Sequence, residues 1–264
     1  SVDHYGPHIF HTNSDRVWKF VNQFAFFRQF VYSPVANFKG NLYSLPFNMW
    51  TFHQLWGVST PEEAIQKIKE TRVEFSSPKN LEEYALNVVG SDVYETLIKH
   101  YTTKHWLKNP SELPVSIIKR LPFRLTYDSR YYNDKYCAIP TGGYTQIFEK
   151  LLTGIAVETD VDYFSNRAEL EKKCKKIIYT GCLDQFYDYI HGELEYRTLK
   201  FEHKKMDVEN FQGVPVINYT SNDVPYTRTI EHKHFDPVKT KHTIVTTETP
   251  IQWDKGKTPY YPIS

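Results

Sequence analysis

The chain has 264 residues, with 32 basic side chains against 31 acidic ones and a formal net charge of +1. A chain of this length can bury a core and divide into one large or two modest domains, and its balanced charge argues against general affinity for nucleic acid, whose usual footprint is a basic excess on one face. No apolar run reaches the length that spans a bilayer and no signal peptide is expected before Ser1, while three cysteines without metal-ligand spacing (Cys137, Cys174, Cys182) suit buried thiols in a reducing, cytoplasmic compartment.

The first segment, HYGPHIFHT, opens on a Gly6-Pro7 turn and sets His4, His8 and His11 around Ile9 and Phe10. Asn13 or Ser14 then caps a helix whose apolar positions are Val17, Phe20, Val21 and Phe24, with Ser33-Pro34 as its end. VANFKGNLYSLPF reads as a hairpin turning at Lys39-Gly40-Asn41. From Pro46 to about Leu107 the pattern is helical. Thr60-Pro61-Glu62-Glu63 is a capping box with proline in the first turn, Asn80 with Glu83 opens a second helix that Gly90 stops, and Ser91-Asp92 opens a third running on to Trp106. Beyond Gly142-Gly143, YTQIFEKLL is a short helix; IAVETDVDYF and KKIIYTG read as strands. That order has the look of the later part of a dinucleotide-binding α/β domain, although many α/β folds share it. After Leu194, LEYRTLKF, VPVINYT, YTRTIEHKHF and HTIVTTET read as an antiparallel sheet.

One stretch concentrates binding chemistry. Between Tyr101 and Tyr132 lie Trp106, Arg120, Arg124, Tyr127 and Tyr131, and the chain as a whole carries 20 Tyr, 17 Phe and 5 Trp. A guanidinium fork suits phosphate oxygens, and aromatic faces suit a sugar or a base. The residues fit either a site for a nucleotide-linked sugar or an aromatic cluster with surface arginines. Arg197 and Arg228 sit mid-strand, where a fixed Cα presents the fork reproducibly to a diphosphate; the alternative is cross-strand pairing with Glu195, Glu202 or Glu231. The histidines (His4, His8, His11; His232, His234) invite a metal reading, but no complete ligand set is evident. There is no G-x-S-x-G elbow, no G-x-G-x-x-G and no P-loop.

Taken in order and spacing, YGPHIFHT, LPFNMWTFHQLWG, YTTKHW, ELPVSIIKRLPFR, IPTGGYT, EYRTLKF, VINYT, VPYTRTIEHKHF and PYYP closely resemble the UDP-galactopyranose mutases of the bacterial type. The resemblance covers essentially the whole chain and is to the central portion of those enzymes, without their N-terminal Gly-rich turn for the FAD pyrophosphate or their C-terminal segment. It implies an α/β fold of α+β character: a remnant of an FAD-binding α/β domain (1–30 and 141–193), an inserted helical substrate domain with a mobile loop (31–140), and an antiparallel sheet domain (194–264). It also implies a flavin-dependent isomerase that interconverts UDP-galactopyranose and UDP-galactofuranose for cell-surface polysaccharide. In that chemistry N5 of reduced FAD attacks the anomeric carbon, and UDP leaves and returns. Carried over by position, Arg120 and Arg228 are the essential arginines that neutralise the diphosphate. Trp106 belongs to the substrate cleft and Tyr101 lies near the uracil. Tyr131 and Tyr261 reach the diphosphate, Arg197 and Asn218 are further polar cleft positions, and His8 and His11 lie beside the isoalloxazine. Tyr32 departs from the pattern, standing where relatives carry Asn. A chain without the pyrophosphate-binding turn is expected not to hold FAD tightly or to turn over by itself. A homodimer is a possible assembly, no nucleic acid or membrane partner is expected, and a non-catalytic nucleotide-sugar-binding module is the alternative.

Overall fold

A computed structural model describes residues 6–119 and 121–262. In chain order the elements are β1 (Phe10–Thr12), α1 (Asp15–Val21), β2 (Phe27–Gln29), β3 (Val35–Phe38), β4 (Asn41–Ser44), α2 (Met49–Trp56), α3 (Pro61–Thr71) and α4 (Leu81–Val93); a π-helical turn at Tyr94–Ile98 leads into α5 (Lys99–Trp106). There follow α6 (Ser116–Lys119), β5 (Tyr136–Pro140), α7 (Thr145–Leu151), α8 (Tyr163–Lys173), α9 (Leu183–Phe186), β6 (Tyr196–Met206), β7 (Val216–Tyr219), β8 (Arg228–Glu231), β9 (Thr243–Gln252) and β10 (Tyr261–Pro262). No helix among the described residues is long and apolar enough to cross a membrane.

The helical block forms where the local signals place it. Thr60 and Glu63 exchange reciprocal hydrogen bonds at the start of α3, and the Asn80 side chain accepts from Glu83 N at the start of α4. Each arrangement satisfies amides that a helix N-terminus leaves without partners. The apolar stripes of α2, α3 and α4 close on one core containing Met49, Phe52, Ala64, Leu81, Val93 and Tyr94, all at most 1% exposed. Gly90 marks the end of one helical segment and the start of another. The two helical segments on either side of it run together as α4 with a kink between them: its φ of +80° and ψ of 169° end the first, as the sequence suggests, and the second opens straight after it. A Cβ there would lie 2.2 Å from Thr71 Oγ1, which is itself bonded to Lys67 O, so the bend lets α3 and α4 touch. Gly90→Ala is therefore expected to cost roughly 2 kcal/mol or more, read as a lower denaturant midpoint with unchanged slope.

A seven-stranded sheet runs in the order β10-β6-β9-β8-β7-β3-β4. Its C-terminal strands pair antiparallel, but the hairpin β3–β4, from the range ascribed to the helical unit, joins the same sheet with β3 parallel to β7. The sheet is thus mixed rather than purely antiparallel, within an α/β fold of the expected class. A smaller antiparallel sheet, β1-β5-β2, gathers the N-terminal segment around Tyr136–Pro140. On the outer side of β6, β10 pairs only with Tyr196 and Arg197. The rest of that edge bears Lys200, Lys204 and Lys205.

Two expected strands do not form. Residues 155–162 and 175–181 are irregular, and an unforeseen helix, α8, lies between them, capped by Asp162. Ile155, Val157 and Ile178 are 59%, 54% and 91% exposed. A buried strand exists only through ladder partners on its flanks and layers on its faces, and these runs have neither among the described residues. The first helix also ends sooner than expected, at Val21, which frees Phe27–Gln29 to pair with β5. Its positions Val17 and Phe20 are exposed rather than buried.

Candidate functional site

α5 carries Tyr101, His105 and Trp106, and it packs beside the sheet end that holds Arg197, Asn218 and Arg228. Lys104, on the same helix, fastens the two: its Nζ donates to Tyr219 O at 2.9 Å, Val224 O at 3.1 Å and Tyr226 O at 2.9 Å, carbonyls of the connection between β7 and β8. Charge-assisted bonds to three otherwise open carbonyls are strong ones, and the short run between Asn218 and Arg228 is held by them. Sequence reasoning passed over Lys104, because its partners are more than a hundred residues away.

Between these elements lies a cavity of about 100 Å³ whose walls include Tyr101, Tyr131, Asn218, Phe47, Ile98 and Leu121. It is mostly apolar, and at this size it takes one planar ring rather than a whole nucleotide, since sites for drug-sized ligands run to several hundred Å³. Asn218 Oδ1 is buried with no hydrogen-bond partner among the described residues. A buried acceptor without a donor is costly, and a ligand N–H or O–H would satisfy it. Burial pushes the Tyr101 phenol up to about 12, with Arg228 acting against that shift, so Tyr101 presents a neutral hydroxyl.

Arg228 stands next to this cavity's tyrosines. Its charge acts on both Tyr101 and Tyr32, and its guanidinium bonds to Glu248 Oε2 through Nε at 2.8 Å and Nη2 at 2.7 Å. Burial opposes its charge, but Glu248, Tyr101 and Tyr32 more than offset that and hold its pKa above that of an ordinary arginine. The cross-strand pairing considered for this residue thus occurs, with Glu248 as partner instead of Glu195, Glu202 or Glu231. Glu248 could have been noticed in TTETP, as an acid inside a β-branched strand.

Arg197 is 2% exposed. Its Cζ lies 5.5 Å from the centre of the Trp106 ring, and Nη1 contacts His105 Nε2; His105 in turn stacks on Tyr101 at 5.5 Å. Arg197 therefore sits behind the aromatic wall formed by Tyr101, His105 and Trp106. Arg124, singled out in the sequence with Arg120, is occupied in folding the loop that leads to Tyr131: it donates to Asp128 O, Arg130 O and Asn133 Oδ1. Arg120 lies outside the described residues. Tyr261 is described through its backbone, which pairs with Arg197.

A row of rings joins the cavity to the N-terminal segment. The His11 imidazole stacks on Tyr132 at 3.9 Å with Nδ1 2.9 Å from Asp134 Oδ2, and Tyr132 meets Tyr131 at 5.2 Å and Tyr32 at 6.0 Å. His8 is exposed, and its carbonyl accepts from Tyr144 Oη. The two other histidines expected on one strand, His232 and His234, lie instead in a 3₁₀ turn that follows β8. His4 lies outside the described residues, and among the described residues no group of three or more His, Cys, Asp or Glu could hold a metal ion.

The fold, with an aromatic cleft and buried arginines at one end of a mixed sheet, agrees with that of a solved protein, reduced UDP-galactopyranose mutase. The TM-score is 0.64 at 13% identity, over 98% of this chain and 66% of the other, just under two thirds of its length. The family model for GLF, UDP-galactopyranose mutase, matches residues 96–264. Curated relatives include the dTDP-fucopyranose mutase of Escherichia coli, 39% identical over 271 residues (100% of this chain, 72% of the relative), and a probable UDP-galactopyranose mutase of Klebsiella pneumoniae, 40% identical over 264 residues (98% and 68%). The chain belongs to the UDP-galactopyranose mutase family.

Proposed function

We propose that this chain carries the substrate-binding part of an isomerase that interconverts UDP-galactopyranose and UDP-galactofuranose. The observation that carries the reading is the ring-sized cavity of Tyr101, Tyr131 and Asn218 with Arg228 beside it. The cavity takes the base, Asn218 Oδ1 receives a donor from the nucleoside, and Arg228 neutralises the diphosphate, joined by Arg120. A leaving group with two phosphates departs more readily when fixed cations stabilise the charge it gathers. In this reading Trp106 and Tyr101 wall the sugar cleft, Arg197 supports it from β6, and residues 31–140 form the substrate-binding unit.

FAD, supplying the atom that attacks the anomeric carbon when bound, is the cofactor of this reading. The described residues offer it one wall: His8, and His11 backed by Tyr132.

The relative from Escherichia coli, named for dTDP-fucopyranose, favours a second substrate, a thymidine-linked sugar. Calorimetric titration of the 264-residue chain with UDP and with dTDP separates the two. UDP is expected to bind at least as tightly as dTDP; a clear preference for dTDP reassigns the substrate, and binding of neither removes the nucleotide reading. In a full-length version, Arg120→Ala is expected to abolish turnover, and near-wild-type turnover would take Arg120 off the catalytic list.

A further inference from the structure

We propose that Glu248 is a positioning residue, one that holds the Arg228 guanidinium by its Nε–Nη2 edge so that Nη1 faces the diphosphate. The proposal rests on the nucleotide-binding reading of the site given above.

The pairing is built into the sheet. Arg228 and Glu248 are direct partners in the antiparallel β8–β9 register, so their Cα positions are set by backbone hydrogen bonds rather than by loops. Glu248 is fully buried, and one oxygen, Oε2, receives both Nε and Nη2. The opposite oxygen, Oε1, is buried with no hydrogen-bond partner among the described residues, so the hydrogen bonds of this carboxylate within them go to Arg228. Gly6 closes the remaining side. Its φ is +90°, and a Cβ there would lie 3.2 Å from Arg228 Nη2 and 3.6 Å from Glu248 Oε2. The main chain thus lies close against the pair, and a side chain at this position would crowd Arg228 Nη2.

Stability alone does not account for this arrangement. Burying two charges costs several kcal/mol per ion, and well-packed apolar residues of similar volume serve as well or better. What a carboxylate adds is geometry. An arginine has several rotatable bonds and about 2 kcal/mol of rotamer entropy, and anchoring one edge of its planar fork leaves only the other edge to turn toward a ligand. Asn218, which lines the cavity, is the cross-strand partner of Arg228 in the β7–β8 register, and Tyr101 and Tyr32 lie near enough to feel the Arg228 charge. Nη1 takes no part in the Glu248 pairing.

The test is a double-mutant cycle read by UDP affinity, with circular dichroism and thermal unfolding to follow the fold. Glu248→Gln keeps the shape and removes the charge; Arg228→Met removes the fork; the double variant buries no charge from either residue. If Glu248 acts through Arg228, Glu248→Gln weakens UDP binding about tenfold in the wild-type background and by less than about twofold in the Arg228→Met background. Should Glu248→Gln fail to fold, Glu248→Asp carries the test, because it keeps the charge but is one methylene too short to reach the same edge. It is then expected to weaken UDP about tenfold and to shift the phosphorus resonance of the bound diphosphate. UDP affinity unchanged in the folded Glu248 variant, with only the melting temperature lowered, would show a merely structural pair and overturn the proposal, as would effects that multiply in the double variant. Failure of the wild-type chain to bind UDP sinks the nucleotide reading and this inference together. Binding with an additive cycle sinks this inference alone.

Discussion

Arg228→Met is expected to lose at least about 100-fold in affinity for UDP and to lower folding stability by ~3–5 kcal/mol. The first effect follows from removing the partly buried cation beside the cavity. The second follows from Glu248, which is fully exposed to neither water nor an alternative partner: it is 0% accessible and its other oxygen is already unpaired among the described residues. Breaking a buried pair by deleting one member is far costlier than replacing both, so Arg228→Met/Glu248→Gln is expected to recover most of the lost stability while binding UDP no better than Arg228→Met alone. Chemical denaturation of the two variants beside the wild type gives the stability difference, and calorimetry gives the affinity. An Arg228→Met protein as stable as the wild type would mean that the Glu248 carboxylate is solvated after all.

Lys104→Met has the second largest expected effect, and it operates at a distance from any ligand. Removing the ammonium leaves the carbonyls of Tyr219, Val224 and Tyr226 without their donor, at a cost of about 2–4 kcal/mol for the set. Because the same contacts fasten α5 to the connection between Asn218 and Arg228, the walls of the cavity lose their common anchor. UDP affinity should fall by about tenfold with no direct contact deleted. Denaturant unfolding and a UDP titration of the one variant check both halves. A stability change below about 0.5 kcal/mol would show that water replaces the lysine at no cost.

The contrast between these residues and the ones found early explains what the sequence discloses. Thr60 with Glu63 and Asn80 with Glu83 were readable because a helix cap is complete within four residues. The hairpin at Lys39-Gly40 was readable because both residues take positive φ, 52° and 87°, as a tight turn between strands demands. Aromatic and guanidinium chemistry located Tyr101, Tyr131 and Arg228 as candidates. Their assembly was not visible there, since Glu248 meets Arg228 across twenty residues and Lys104 meets its carbonyls across more than a hundred. Arg197 shows the same limit from the other side: its type suggested a diphosphate contact, and the fold places it behind Trp106 and His105. Apolar runs such as Ile155–Val161 mislead for a related reason. Strand character is a property of pairs of segments, and composition reports only one member of the pair.

The open edge of β6 carries a consequence for how copies of this protein behave in company. Beyond Arg197 the strand presents outward-facing amide and carbonyl groups, the template on which a second sheet could grow. Lys204 and Lys205 lie along that margin, exposed, beside Lys200, which pairs with Glu202 at 3.1 Å, and two such margins brought together would crowd the lysines of both. The repulsion acts like a guard rail against runaway sheet extension at high protein concentration. Its reach is a Debye length, so concentrated salt, which shortens that length, removes the rail while leaving the template in place.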